Sequence, residues 1–201
     1  MLKLLCKLLL VIALAAIAAC GLLICTSADP LYTTESLLSH GRYHRFDALI
    51  RQVGAQYGVD PMLIKAVVWR ESGFRPGKVG TKGERGLMQV TEAAASDWAR
   101  QTKRSGFVPT DLFTPLTNLE TGTWYLKKAL QRYAGKDDPA TFALAEYNAG
   151  KSHVDKWVDN TNQGAGANAG DLRDSISFPG TREYVDIILD RYHFYQRQGH
   201  L

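Results

Sequence analysis

The residues from Glu71 to Gln89, ESGFRPGKVGTKGERGLMQ, place one carboxylate at the end of an apolar segment, then a glycine-rich loop, then a Gly-Leu-Met-Gln turn. A carboxyl group against an apolar wall is harder to ionise than one in water, because burial disfavours the charged form. Such a group holds its proton near neutral pH and can pass it to a leaving group. Read alone, Glu71 is a surface glutamate paired with Arg70 or Arg75, since exposed glutamates are common. Its setting has to decide between the two readings.

That setting is helical. Asp60-Pro61 has the residue types of an N-cap and first helical position, and Met62 to Ser72 follows, apolar nearly all round, with Gly73 as terminator. A helix of that composition is expected to be buried. Before it, Phe46, Leu49, Ile50, Val53 and Tyr57 recur at helical spacing and Gly58 ends the stripe. After the loop, Thr91 caps a helix running through Trp98 to about Lys103. Residues 105–117 read as irregular, Asn118 to Tyr133 as a long helix, and Asp138-Pro139 as a second cap-and-proline start for Ala140 to Tyr147. A short helix from Ser152 to Val158, a mobile low-complexity loop over 160–170 and a final helix from Thr181 to Gln196 complete the domain. No strand series or internal repeat is found, so the fold class is mainly α.

Composition narrows the function. The chain has 201 residues and a formal net charge of +4. Without Lys3 and Lys7 of the N-terminal segment the balance is 22 basic to 20 acidic residues, too mild to argue for nucleic acid. The three cysteines, Cys6, Cys20 and Cys25, all precede the globular part, and the five histidines show no metal-ligand spacing. No disulfide, metal or cofactor is expected there. Residues 1–28 read as a targeting segment, 29–42 as a polar linker and 43–201 as the domain. Three readings of the segment stand: a lipoprotein signal acylated at Cys20, an uncleaved anchor, or a signal peptide cleaved after Thr26-Ser27-Ala28. The uncharged run from Leu8 to Cys25 just spans roughly 30 Å of hydrocarbon. All three put the domain outside the cytoplasmic membrane, in the periplasm or at the cell envelope.

Four motifs then settle the reading of Glu71. Glu-Ser-x-Phe at 71–74, Gly-Leu-Met-Gln at 86–89, Glu-Tyr-Asn-Ala-Gly at 146–150 and Thr-Arg-x-Tyr-Val at 181–185 resemble, in order, those of the soluble-type lytic murein transglycosylases (SLT domain). These enzymes share a lysozyme-like fold with goose-type lysozymes. The resemblance implies a helical domain with room for a small β-hairpin after the catalytic helix, and glycan strands of peptidoglycan as substrate. It implies Glu71 as the single acid/base, with Ser72, Met88, Gln89, Tyr147, Asn148 and Tyr184 at the substrate. It also implies cleavage of the MurNAc-GlcNAc bond with formation of a 1,6-anhydro end. Cell-envelope machinery is a candidate partner.

Two positions depart from the family pattern. Gly80 stands where the family often has serine, and Glu84 where it usually has a small residue. Goose-type lysozymes carry an acidic residue at about the second spacing, which makes Glu84 a candidate for positioning water and the protein a candidate muramidase. The plain alternative is a loop carboxylate paired with Lys82 or Arg85. A non-catalytic wall-binding module and a membrane-anchored interaction domain complete the alternatives.

Overall fold

The computed structural model describes residues 2–27, 30–39, 41–199 and 201. The chain divides between Arg45 and Phe46 into two units. The first contains α1 (Leu2–Thr26) and α2 (Pro30–Leu38), followed by a 3-10 turn, Arg42–His44. Leu5 to Thr26 is long and apolar enough to cross a membrane, and Leu8, Val11, Leu14, Ile17 and Leu22 are all exposed along α1. The stretch read as a linker thus carries a helix. Ala28, and with it the end of the cleavage-site reading, lies outside the described residues, as do Asp29, His40 and His200.

The second unit is built from eight helices among the described residues: α3 (Asp47–Tyr57), α4 (Pro61–Ser72), α5 (Glu92–Gln101), α6 (Pro115–Arg132), α7 (Pro139–Ala149), α8 (Lys151–Asp159), α9 (Ala169–Ser175) and α10 (Pro179–Gln198). The local chemistry that starts and stops them is the one read from sequence. The Asp60 side chain accepts from the Met62 amide at 2.8 Å, Thr91 Oγ1 from the Ala94 amide and Asp138 from the Ala140 amide. Gly58 and Gly73 close α3 and α4 in the left-handed conformation. Two elements differ. Helix α6 begins at Pro115, which fills its first turn instead of breaking the chain. The 160–170 stretch is held by Lys136, whose ammonium donates to the Ala165 and Ala167 carbonyls at 2.7 Å each, and it runs into α9 through a capping box of Asn168 and Asp171.

Helix α4 packs against α3 and α10, and α7 packs against α6 and α10. Ile64, Val67 and Val68 of α4 are fully buried with Leu119 and Leu126 of α6, Phe142 and Leu144 of α7, and Val185 and Ile188 of α10. Lys65 is buried among them. Its ammonium lies 2.8 Å from Asp47 Oδ1 and 5.2 Å from the Tyr195 ring centre, so one cation joins α4 to α3 and α10. Burial pulls its pKa down and Asp47 pushes it back up.

The loop between α4 and α5 forms no strand. The hairpin expected there is present as two isolated antiparallel bridges, Val79 with Arg85 and Arg85 with Val90. Asn118 of α6 anchors the loop to the helices. Its Oδ1 accepts from the Met88 amide at 2.7 Å, and its Nδ2 donates to the Arg85 and Leu112 carbonyls at 2.7 and 2.9 Å. Gly122, one turn on, lets Met88 lie directly on α6: a Cβ there would sit 2.6 Å from its Sδ. Asn118→Ala strands three backbone groups, two of them buried, and is expected to lower unfolding free energy by about 3 kcal/mol. Urea denaturation checks this, and a loss below about 1 kcal/mol would show that the loop is held elsewhere.

Candidate active site

Glu71 sits in the last turn of α4, where the helix meets the loop. Tyr184 of α10 donates its hydroxyl to Glu71 Oε1 at 2.7 Å. Burial pushes the Glu71 carboxyl up to about 7; the Tyr184 hydrogen bond and the charges of Lys78 and Arg70 oppose that rise, and the charge of Glu84 adds to it. Desolvation wins, so the group is poised between acid and base at neutral pH. Burial, and then the charge of Glu71, pushes the Tyr184 phenol well above its ordinary value, so it remains a donor. Arg70 lies over the Tyr184 ring, 5.9 Å from its centre.

Tyr147 of α7 feels the same carboxylate: burial first, then the Glu71 charge, raises its phenol well above normal. Its hydroxyl donates to the Met88 carbonyl at 2.9 Å, which ties α7 to the Gly-Leu-Met-Gln turn. Beside it, Asn148 is exposed and accepts from the Thr181 hydroxyl at 2.7 Å, fixing the start of α10 against the end of α7. Gln89 adopts a left-handed backbone, φ 47°, unusual for a residue with a side chain. Its Nε2 donates to the Lys78 and Gly86 carbonyls at 3.1 and 2.9 Å, which turns its Oε1 towards Gly80. Gln89 and Tyr147 line a groove of about 340 Å³ with Thr91, Tyr125, Glu146 and Lys151.

The structure therefore brings Glu71, Tyr184 and Tyr147 together, with Gln89 on the groove and Asn148 at the junction of α7 and α10. Ser72 and Met88 are placed differently from the expectation of substrate contact. Both are fully buried: Ser72 Oγ donates back to the Val68 carbonyl at 3.1 Å, and Met88 packs on Gly122 and Thr123. They present no surface to a ligand and support the site from behind. Glu84 pairs with neither Lys82 nor Arg85 through charge among the described residues. It accepts from the Lys82 backbone amide at 3.0 Å, while Arg85 bonds to Glu92 and to the Pro109 carbonyl. Lys78, which the sequence did not single out, donates its ammonium to the Glu71 carbonyl and so satisfies a helix-end acceptor beside the acid. Among the described residues no group of three His, Cys, Asp or Glu side chains is placed to hold a metal ion.

A mainly helical domain of lysozyme-like fold, organised around one half-buried acid near a groove, is the class this geometry defines. The family of the transglycosylase SLT domain matches residues 48–169, and the chain belongs to it. Relatives include the membrane-bound lytic murein transglycosylase C of Klebsiella pneumoniae (strain 342), 37% identical over 119 residues, 56% of this chain and 33% of that protein. The 70 kDa soluble lytic transglycosylase of Escherichia coli has a similar fold, with a TM-score of 0.69 and 27% identity over 81% of this chain and 26% of that one. A complex of the 70 kDa soluble lytic transglycosylase with bulgecin A gives a TM-score of 0.71 at 25% identity, covering 82% of this chain and 26% of that chain. The chain thus spans about a third of the curated relatives it matches and about a quarter of those solved chains.

The Glu71 carboxyl keeps its proton up to about 7 in the folded chain and only to 4.5 when unfolded. Between those values the native state binds the extra proton, so this group's contribution to stability falls as pH rises. Glu71→Gln removes that loss. The variant is expected to gain several degrees of thermal stability on the wild type at about pH 8 compared with about pH 4. Unfolding scans at the two pH values check it; a pH-independent gap would contradict a raised pKa.

Proposed function

We propose that this protein is a peptidoglycan lytic transglycosylase that uses Glu71 as its sole acid/base. The observation that carries the reading is the half-buried Glu71 carboxyl, raised to about 7 and held by the Tyr184 hydroxyl. Family membership and the names of the relatives, lytic transglycosylases of murein, supply the substrate class. In the first step Glu71 gives its proton to the glycosidic oxygen between N-acetylmuramic acid and N-acetylglucosamine, and the C1–O bond breaks. The positive charge that develops at C1 is stabilised by the sugar's own 2-acetamido oxygen. The Glu71 carboxylate then takes the proton of the C6 hydroxyl, and the C6 oxygen bonds to C1. The acid is regenerated, no water is consumed, and the product ends in a 1,6-anhydro sugar.

Gln89, Tyr147 and Asn148 contact the glycan, Tyr184 orients the acid, and Ser72 and Met88 back the loop. Residues 43–201 form the catalytic domain and 1–28 the membrane-directed segment, joined by 29–42. Leu5 to Thr26 would hold the domain at the cell envelope as an anchor, or Cys20 would do so through a lipid. The name of the membrane-bound relative supports the first unit's role. Interaction with cell-envelope machinery follows from that location. A hydrolytic outcome is the second reading, favoured by the half-buried Glu84 carboxylate beside Glu71.

Mass spectrometry of muropeptides released from purified sacculi separates the two readings. The transglycosylase reading expects products one water lighter than hydrolytic ones, without a reducing end. Glu71→Gln is expected to cut turnover by about 10²–10⁴-fold with the fold intact. Reducing-end products would make the protein a muramidase, and full activity in the Gln variant would remove Glu71 from the chemistry.

A further inference from the structure

The two departures at positions 80 and 84 occupy one space. A Cβ built on Gly80 would lie 2.3 Å from Glu84 Oε2 and 2.9 Å from Gln89 Oε1. Gly80 is not in the left-handed region, so its backbone conformation would admit alanine or serine. It is the Glu84 carboxylate, reaching across the loop, that takes the room of a side chain. The crossing is held by the loop itself: Gly80 N–H donates to the Glu84 carbonyl at 2.7 Å, Gly86 N–H to the Lys78 carbonyl at 2.9 Å, and the Lys82 amide to Glu84 Oε2. Gln89 is turned the same way because its Nε2 is engaged by two carbonyls. Two acceptor oxygens therefore converge above Gly80: Glu84 Oε2, which takes one hydrogen bond from the Lys82 amide and has lone-pair capacity left, and Gln89 Oε1. Acceptors so placed can share one donor, an O–H or N–H group.

We propose that Gly80, Glu84 and Gln89 form one positioning device, in which Glu84 replaces a residue-80 side chain and, with Gln89, holds an O–H or N–H group next to Glu71. Glu84 is a positioning residue here. The proposal rests on the lytic reading of the site. The donor is either a hydroxyl or amide of the glycan or a water molecule; the acceptor chemistry is the same. Glu71 is faced by Tyr184 from α10, Tyr147 from α7, Lys78 and Glu84 from the loop and Arg70 from its own helix. Of these only Glu84 adds negative charge. Its removal moves Glu71 towards easier ionisation.

The test uses the full chain with Gly80→Ala, Glu84→Ala and the double variant, each measured for kcat, KM, product type and pH profile on glycan strands. Because the atom in the way is the end of a flexible side chain, Gly80→Ala displaces the carboxylate without unfolding the domain. Each single variant is expected to lose about ten-fold in kcat/KM, and the double variant about the same ten-fold, not a hundred-fold. The alkaline limb is expected to move to lower pH in Glu84→Ala, where a negative charge near Glu71 is lost, while the split between kcat and KM and the product ratio report positioning. A rise in KM with unchanged products identifies a glycan donor; a changed ratio of anhydro to reducing ends identifies water. Multiplicative losses, a stationary alkaline limb in Glu84→Ala, or full activity of Gly80→Ala overturns the proposal. A wild-type chain that releases nothing from glycan strands overturns the lytic reading instead.

Discussion

The Tyr184 hydroxyl reaches Glu71 Oε1 from 113 residues further along the chain, and the rest of the second unit makes that contact possible. A carboxyl group at the mouth of a buried helix would pull in water or unfold the helix end if left alone. Here one oxygen is satisfied by a phenol that is itself too buried to ionise. The α4–α10 packing, with Ile64, Val67 and Val68 against Val185 and Ile188, keeps the two groups in register. Lys65 adds a second tie between the same helices through Tyr195. A buried ion pair of this kind is weak as a source of stability. Its effect in this domain is to join α4 to its two neighbours through one cation.

The second constraint is a loop held from below. Residues 73–90 are folded by two bridging pairs and backbone hydrogen bonds of their own, and α6 anchors the result: Asn118 satisfies three backbone groups, and Gly122 admits Met88. Tyr147 closes the arrangement from above through the Met88 carbonyl. The strained backbone of Gln89 is the cost of aiming an amide at two carbonyls and leaving its oxygen towards Gly80. Rigid support and an open groove are thus products of the same contacts, which is what a site that must place one acid demands.

Much of this was legible in the sequence where the signal is local. Asp60-Pro61, Asp138-Pro139, Gly58 and Gly73 marked helix ends because capping acts within a few residues. The burial of α4 followed from its composition, and the candidate role of Glu71 from the motifs around it. What escaped depends on partners distant in the chain. Helix α2 lies in a polar stretch and α9 follows a glycine- and alanine-rich one, so neither carries an apolar stripe. The roles of Lys78 and Asn118 exist only once loop and helix meet. Ser72 and Met88 lie within the site motifs yet point inward, because motif membership does not report which way a side chain faces. Gly80 and Glu84 stood out singly as departures; that they share one volume is visible only in three dimensions.

The central claim is that the Glu71 carboxyl titrates near neutral pH. Its titration can be followed directly by NMR of side-chain ¹³C-labelled glutamate, with Glu71→Gln identifying the signal and Tyr184→Phe perturbing it. A midpoint near 7 is expected in the wild type, moving higher when the stabilising hydroxyl is removed. A midpoint near the ordinary 4.5, indifferent to Tyr184, would mean that Glu71 is a solvated carboxylate and not the acid on which the chemistry turns.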